Sequence, residues 1–407
     1  MSRPPLGSTF PIFGINISWY SLLMIIAVAL GIWLATREER RLKLPEESVL
    51  NASLLAIPLG IIGARLYYAA FSWEQFEDDW IELFRVWNGG LAIYGAILGG
   101  LLALFIASRK FPSIFPSLLD AAAPSAALGQ AIGRWGNYAN MEAYGERIYN
   151  PAFQFFPLAV EVRIAGVNGT EFWYWHMATF FYEFVWNLIV FFILMSIRTK
   201  TKRRGDVVCW YTMLYCAGRT VIEGLRNDSL LLNVGGAQIR VSQVISGIAC
   251  LTVAVLFFVR LARARKIKAI DSICCLLAVL GIACAFVGEF ERNAYQMLFI
   301  AAQIQLGAIL ALDAAFLAAY VKGARSLGTP GAIALVSCFL CAGTLALGIG
   351  RLGENNIVYI ALRQSVSMLH VVLAGAWFYL RGGRSRRRER VAGEVTEWEG
   401  DVEGAAP

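Results

Sequence analysis

Apolar residues run through this chain in blocks of 17 or more, broken by short polar stretches, and the alternation repeats along most of its length. Crossing a bilayer takes an α-helix of about 20 predominantly apolar residues. The pattern predicts spans near 17–36, 48–71, 91–107, 113–133, 177–197, 206–225, 241–259, 271–287, 297–321, 331–349 and 357–380. Eleven such spans describe an all-α, polytopic membrane protein.

Charge refines that picture through its placement. Net charge is +7 over 407 residues, of which 58% are hydrophobic and 16% charged, and nothing in that balance forms a platform for nucleic acid. Lys and Arg cluster at 37–43, 109–110, 198–204, 260–268, 322–325 and 381–390, which together hold 24 of the 36. The stretch 73–85 instead carries Glu74, Glu77, Asp78, Asp79 and Glu82 against Arg85 alone. By the positive-inside rule the basic clusters are cytoplasmic and the acidic loop external. Eleven spans then put the N-terminus outside and the C-terminus in the cytoplasm, with every basic cluster on the inner side. One missed helix would invert every later loop, so the agreement tests the span count. The first apolar block ends in charged residues without a small-residue cleavage site, and only Arg3 precedes it, which marks a retained helix.

Polar chemistry concentrates at a few places in this apolar frame. The densest is GRWGNYANMEAYG at 133–145, which closes the fourth span with Arg134, Asn137, Asn140 and Glu142 among Gly133, Gly136 and Gly145. Charged and amide groups at a membrane boundary are expensive to bury and mark a functional site. Glycines there suit a backbone that bends or approaches a ligand closely. Other groups gather at the same level: Asn16, Trp19 and Tyr20, then Asn88, Gly89 and Gly90, then Tyr94, and Tyr182 with Glu183. Arg65 lies inside the second span, where it needs a partner or a water-filled cavity. Gly95 and Gly99 form a close-packing helix pattern. Arg219, Glu223 and Arg226 stand at i, i+4 and i+7, on one face of the sixth span.

Arginines converging beside a membrane interface favour a phosphate, because guanidinium forks bind its oxygens bidentately and stay charged. Glu142 and Glu223 can orient those arginines, and the asparagines can bind glycerol hydroxyls or esters. The residues therefore point to a phospholipid headgroup handled at the outer face. The eight cysteines all lie in apolar runs, and the Cys338–Cys341 pair has no partner histidine or second pair. His176 and His370 have no metal-ligand spacing. Neither a metal site nor a Ser-His-Asp hydrolase is supported.

Five stretches make the chain resemble the prolipoprotein diacylglyceryl transferases: Ile17-Ser18-Trp19-Tyr20, RVWNGGLAIYG at 85–95, the 133–145 segment, TFFYEFVWN at 179–187 and GRTVIEGLR at 218–226. The resemblance runs from about residue 13 to residue 260, the first seven spans. It implies a reaction in the bacterial cytoplasmic (inner) membrane: the diacylglyceryl group of phosphatidylglycerol passes to the lipobox cysteine of a prolipoprotein signal peptide. A thioether forms, glycerol 1-phosphate leaves, and no cofactor is required. Arg134 and Arg219 match the family's phosphate-binding arginines. Asn137, Asn140, Glu142 and Gly145 match the rest of its signature. Tyr20, Asn88, Gly89, Glu223 and Arg226 match further motif positions, and membrane lipids are the surrounding partners. Positive potential from the arginines is expected to lower the pKa of the attacking thiol, ordinarily near 8.5.

The chain departs from the family pattern in three ways. Tyr94 stands where many members have a histidine proposed as the base. His176 is followed by Met177 rather than proline, and reads as an interfacial residue in the cluster Phe172, Trp173, Tyr174 and Trp175. The third departure is length. Residues 1–268 read as a seven-helix transferase core, 269–381 as an added module of about four helices, and 382–407 as a basic then acidic cytoplasmic tail of disordered composition. The motifs close before residue 260, so a chain ending at Lys268 is expected to insert and transfer. Two other classes fit eleven helices, a carrier and an inactive lipid-binding relative. The absence of an internal repeat weighs against the first, and the intact Arg134, Asn137 and Arg219 against the second.

Overall fold

The computed structural model describes residues 9–291 except 13–14, 78, 87–88, 110, 166–169, 202, 235–236 and 265–266, together with the helix 359–381 and scattered positions between 309 and 344. The predicted spans near 297–321 and 331–349 otherwise lie outside the described residues, as does the tail 382–407. The long helices are α1 (Trp19–Leu42), α2 (Ser48–Phe71), α3 (Ile93–Ser108), α4 (Phe115–Asn140), α5 (Thr179–Ile197), α6 (Asp206–Glu223), α7 (Val241–Ala264), α8 (Ala269–Glu291) and α9 (Tyr359–Arg381). Five of them, α1, α2, α5, α7 and α9, are long and apolar enough to cross a membrane. The protein is an all-α, multi-pass membrane protein. Each described helix overlaps a predicted span, and α4 runs to Asn140, so Arg134 and Asn137 sit on its last turns rather than in a loop.

Three two-stranded antiparallel hairpins join the helices: β1–β2 (Thr9–Ile12, Ile15–Ser18), β3–β4 (Ala159–Ala165, Glu171–Met177) and β5–β6 (Leu231–Val234, Ala237–Arg240). None was anticipated from the sequence.

The chain forms two compact units. In the unit of Gly7–Gly136 and Asn187–Tyr211, α2 and α3 meet backbone to backbone. A Cβ on Gly95 would strike the Gly63 carbonyl, and one on Gly99 the Leu59 carbonyl, the close approach that small residues permit. Arg65 is buried, and its guanidinium donates to the carbonyls of Leu83 (3.0 Å), Gly89 (2.6 Å), Gly90 (3.0 Å) and Glu82 (2.5 Å). Its partner is thus a ring of loop carbonyls, which clamps that loop onto α2. Asp120 of α4 serves the start of α6, where its Oδ2 accepts from Gly205 N (2.7 Å) and its Oδ1 from Val208 N (2.9 Å). It satisfies backbone donors that a helix start leaves open. Buried Glu38 pairs with Arg41 (2.7 Å) and Arg198, and Glu39 Oε2 accepts from Val49 N (2.5 Å) at the start of α2.

The other unit holds Asn137–Trp186 and the described residues from Thr212 onward. Here β3 and β4 pair from Ala159↔Met177 to Ala165↔Glu171, with Val160 and Val162 buried. α9 packs on α7 through Phe257–Tyr379 and Phe258–Phe378, each pair of rings 5.1 Å apart. On α8, Asp271 accepts from Trp377 Nε1 (3.0 Å) and pairs with Arg381. Asp313 Oδ2 lies 2.7 Å from His370 Nε2, and Ser337 Oγ is 2.8 Å from the same nitrogen and 3.1 Å from Asp313 Oδ2. All three side chains are buried.

Candidate active site

In the first unit, Ser18 Oγ accepts from Tyr20 N at 3.2 Å and caps α1. The Tyr20 ring then occupies the space beside Gly136, where a Cβ would lie 3.0 Å from Tyr20 Cε2 and closer still to Cδ2. This contact accounts for the glycine in the middle of the signature. Arg134 stands two residues earlier on α4, half-buried. Gly89 and Gly90 have φ of +90° and +67°, a turn that side chains disfavour. The Gly89 carbonyl is taken by Arg65. Tyr94 lies in the first turn of α3, half-buried, its ring centroid 6.1 Å from that of Tyr67. Asn88 lies outside the described residues.

The second unit carries the rest of the signature. The chain leaves α4 through two left-handed residues, Met141 (φ 54°) and Ala143 (φ 55°). Glu142 N donates to the Asn137 carbonyl at 3.0 Å. Its Oε1 accepts from Asn137 Nδ2 at 2.9 Å and Asn140 Nδ2 at 3.3 Å. Glu142 was expected to orient the arginines; in the structure it orients the two asparagines, because the tight exit from α4 folds its side chain back on them.

Gly145 anchors the next step. Its N–H donates to the Met177 carbonyl (2.8 Å), and its own carbonyl accepts from Asn227 Nδ2 (2.9 Å) and faces His176 Nδ1 (2.9 Å). A Cβ here would lie 2.6 Å from the Leu225 carbonyl and 2.9 Å from Thr179 Cγ2, so only glycine fits without displacement. The strand-like contact Gly145↔Arg226, together with Glu146 N to Leu225 O (3.2 Å), joins the signature to the end of α6. His176 is buried at this junction with its ring 4.9 Å from Tyr144, which corrects the expectation of an interfacial residue. Burial, with Arg147 nearby, holds its pKa below the ordinary value and keeps the ring neutral.

At the end of α6 a charged cluster is built around Arg219. Its Nη1 is 2.5 Å from Glu183 Oε1 on α5, and its Nη2 is 2.6 Å from Glu223 Oε2 one helical turn away. Arg226 Nη1 is 3.5 Å from the same Glu183 oxygen. Arg226 also forms a two-pronged pair with Asp228, Nε to Oδ1 at 2.9 Å and Nη2 to Oδ2 at 2.7 Å. Burial alone would raise the Asp228 carboxyl, but the Arg226 fork outweighs it and holds the pKa below the ordinary range. Gly218 lets α6 lie against the Trp186 indole, whose Nε1 donates to the Leu214 carbonyl at 3.0 Å.

Glu183 is the residue that sequence reasoning undervalued. It was noted as a polar group in the fifth span, yet it joins both arginines and is 4% exposed. A carboxylate in an apolar run is a signal in itself, but its partners lie 36 and 43 residues away. Glu183, Glu223 and Asp228 surround Arg219 and Arg226, so what this cluster supplies is a fixed guanidinium orientation rather than net charge.

A family model described as prolipoprotein diacylglyceryl transferase matches residues 8–260. The chain belongs to this family. Similar proteins named phosphatidylglycerol–prolipoprotein diacylglyceryl transferase include one from Enterococcus faecalis, 42% identical over 262 residues, which span 62% of this chain and 89% of the relative. Others come from Halalkalibacterium halodurans, 38% over 261 residues (64% and 88%), and Geobacillus kaustophilus, 38% over 268 residues (64% and 94%). The family match ends inside α7, so this diacylglyceryl transferase carries α8 and α9 beyond it.

Proposed function

We propose that the protein transfers the diacylglyceryl group of phosphatidylglycerol to the lipobox cysteine of prolipoproteins, the first step of lipoprotein maturation. The observation that carries this reading is Arg219, held at the end of α6 between Glu183 and Glu223. A guanidinium has five donors in a rigid fork; with its plane fixed by two carboxylates it is preorganised for a phosphate. By the family resemblance Arg134 is the other phosphate-binding arginine. Tyr20, Asn88, Gly89, Asn137, Asn140, Glu142 and Gly145 are the motif positions assigned to glycerol and ester recognition, and Glu223 and Arg226 hold Arg219 in place.

In the reaction the cysteine thiolate attacks the glycerol carbon, the C–S bond forms as the C–O bond to phosphate breaks, and glycerol 1-phosphate departs with the electron pair. Guanidinium donors aimed at the phosphate oxygens stabilise the charge that develops on the leaving group. Displacement of this kind needs neither a metal nor a covalent enzyme intermediate. Tyr94 positions the thiol. The protein works in the bacterial cytoplasmic membrane, with its N-terminus and the hairpin-bearing loops outside and its C-terminus in the cytoplasm, so phospholipid and signal peptide reach the site from the membrane.

The test uses purified protein with phosphatidylglycerol and a lipobox peptide. Release of glycerol phosphate with thioether formation is the expected result, and Arg134→Ala and Arg219→Ala should each abolish nearly all of it. Arg→Lys should restore little, since the bidentate fork is lost. Lipid uptake without glycerol phosphate release would favour a carrier, and normal turnover by either alanine variant would remove the phosphate-clamp assignment.

A further inference from the structure

The family match stops at residue 260, yet α9 is built into the helix that carries Arg219. The two helices run antiparallel and in step. Gly224 at the end of α6 meets Gln364 near the start of α9, and Met213, eleven residues back along α6, meets Gly375, eleven residues on along α9. A Cβ on Gly375 would lie 2.6 Å from Met213 Sδ, so the glycine sets how closely the helices approach. α8 packs along the same stretch of α9, where a Cβ on Gly281 would lie 2.6 Å from the Ser367 carbonyl and 3.1 Å from Val371 Cγ2.

The contact at Gly224 falls between Glu223 and Arg226. Here α6 tightens: the N–H groups of Gly224, Leu225 and Arg226 reach the carbonyls of Val221 (3.1 Å), Ile222 (3.0 Å) and Glu223 (3.2 Å). Such i→i−3 bonds are typical of a helix end, whose last carbonyls need partners from elsewhere. Gln243 of α7 supplies one, its Nε2 donating to the Thr220 carbonyl at 2.8 Å. Gln364, 1% exposed, lies against the same turn: a Cβ on Gly224 would lie 2.9 Å from Gln364 Oε1 and 3.5 Å from Gln243 Nε2. Two buried amides therefore meet the turn that sets the directions of Glu223 and Arg226, Gln243 of α7 through a hydrogen bond and Gln364 of α9 through close contact.

We propose that α9 is a working part of the transferase and that Gln364 is a positioning residue for the Arg219–Glu223–Arg226 cluster. A guanidinium clamp is effective only if its donors meet the phosphate within a fraction of an ångström, and small misplacement of such a group costs large factors in rate. This revises the expectation that a chain ending at Lys268 transfers normally: without α9, the Gly224 face of α6 loses the helix packed on it.

The inference rests on the role proposed for Arg219, and the test separates the two. Full-length protein is purified as wild type, Gln364→Leu, Gln364→Asn, Gly224→Ala, Trp377→Phe and Arg219→Ala, and each is assayed with phosphatidylglycerol and a lipobox peptide. Gln364→Leu and Gly224→Ala are expected to lower kcat at least about tenfold with KM for the peptide little changed, at normal membrane abundance and thermal midpoint. Gln364→Asn should recover part of the loss. Trp377→Phe, which removes an indole N–H donor at the far end of α9, should leave kcat near wild type. Normal kcat in both Gln364→Leu and Gly224→Ala, or a loss that only follows a fall in thermal midpoint, overturns the inference while an inactive Arg219→Ala leaves the phosphate role standing. An active Arg219→Ala removes both. A chain ending at Lys268 that turns over at the wild-type rate also overturns it.

Discussion

Glu183 Oε1 lies 2.5 Å from Arg219 Nη1, joining α5 to the end of α6 through a contact in which both side chains are largely shielded from water. Breaking a buried pair by removing one partner is costly, because the surviving charge stays desolvated and uncompensated. Glu183→Gln keeps the shape and an acceptor oxygen but removes the charge that fixes Arg219. We expect kcat/KM to fall at least about tenfold, equivalent to about 1.4 kcal/mol of transition-state stabilisation. Glu183→Asp should fall less. Steady-state kinetics at matched membrane abundance checks this, and unchanged kcat/KM in Glu183→Gln would reduce the contact to a packing feature.

The proposed role of Tyr94 is to position the thiol rather than to deprotonate it. A phenol is a weak proton acceptor, and Tyr94 lies half-buried beside Tyr67 at the start of α3. A positioning role predicts that Tyr94→Phe keeps most of its activity from about pH 6.5 to about pH 8.5, around neutrality. A base would lose on the order of a hundredfold. The pH–rate profile of Tyr94→Phe separates these outcomes.

His176 links pH to the fold of the signature. Its pKa in the folded protein is lowered by burial, so between that value and about 6.5 the unfolded chain binds a proton that the folded one does not. The stabilisation is present above about pH 6.5 and is lost as pH falls through that window toward the folded value. We expect the thermal midpoint of wild type to drop on moving from about pH 7.5 to about pH 5.5, through the ordinary histidine range. His176→Asn retains an amide donor for the Gly145 carbonyl and does not titrate, so its midpoint should change less. Parallel pH dependence in the two proteins would assign the acid sensitivity elsewhere.

The span pattern was legible because each helix needs an unbroken apolar run, and α1 through α9 fall where such runs lie. The motif residues were legible because polar groups in those runs are rare. What escaped was non-local. The β3–β4 hairpin shows only short alternation, Val160 and Val162 buried and Arg163 exposed opposite Trp173, and nothing local fixes its pairing. Arg65 was visible as a charge needing a partner, but ring-like coordination by the carbonyls of 82–90 depends on a turn made by Gly89 and Gly90. Glu183 and Gln364 act across helices far apart in sequence, and no spacing rule connects them to Arg219 or Gly224.

The last expectation concerns the buried triad of the C-terminal helices. His370 Nε2 is 2.7 Å from Asp313 Oδ2 and 2.8 Å from Ser337 Oγ, and its Nδ1 is 2.6 Å from the Val366 carbonyl. His370→Ala leaves the buried Asp313 side chain without its main partner, which should destabilise the protein by about 1–3 kcal/mol. The double variant Asp313→Ala with His370→Ala removes the charge as well and should be less destabilised than His370→Ala alone, by the logic of a thermodynamic cycle between contacting residues. Thermal unfolding of the detergent-solubilised protein, followed by tryptophan fluorescence, gives the three midpoints. If the double variant is no more stable than His370→Ala, the Asp313 carboxyl left behind is not what destabilises the single variant, and the pairing assignment fails.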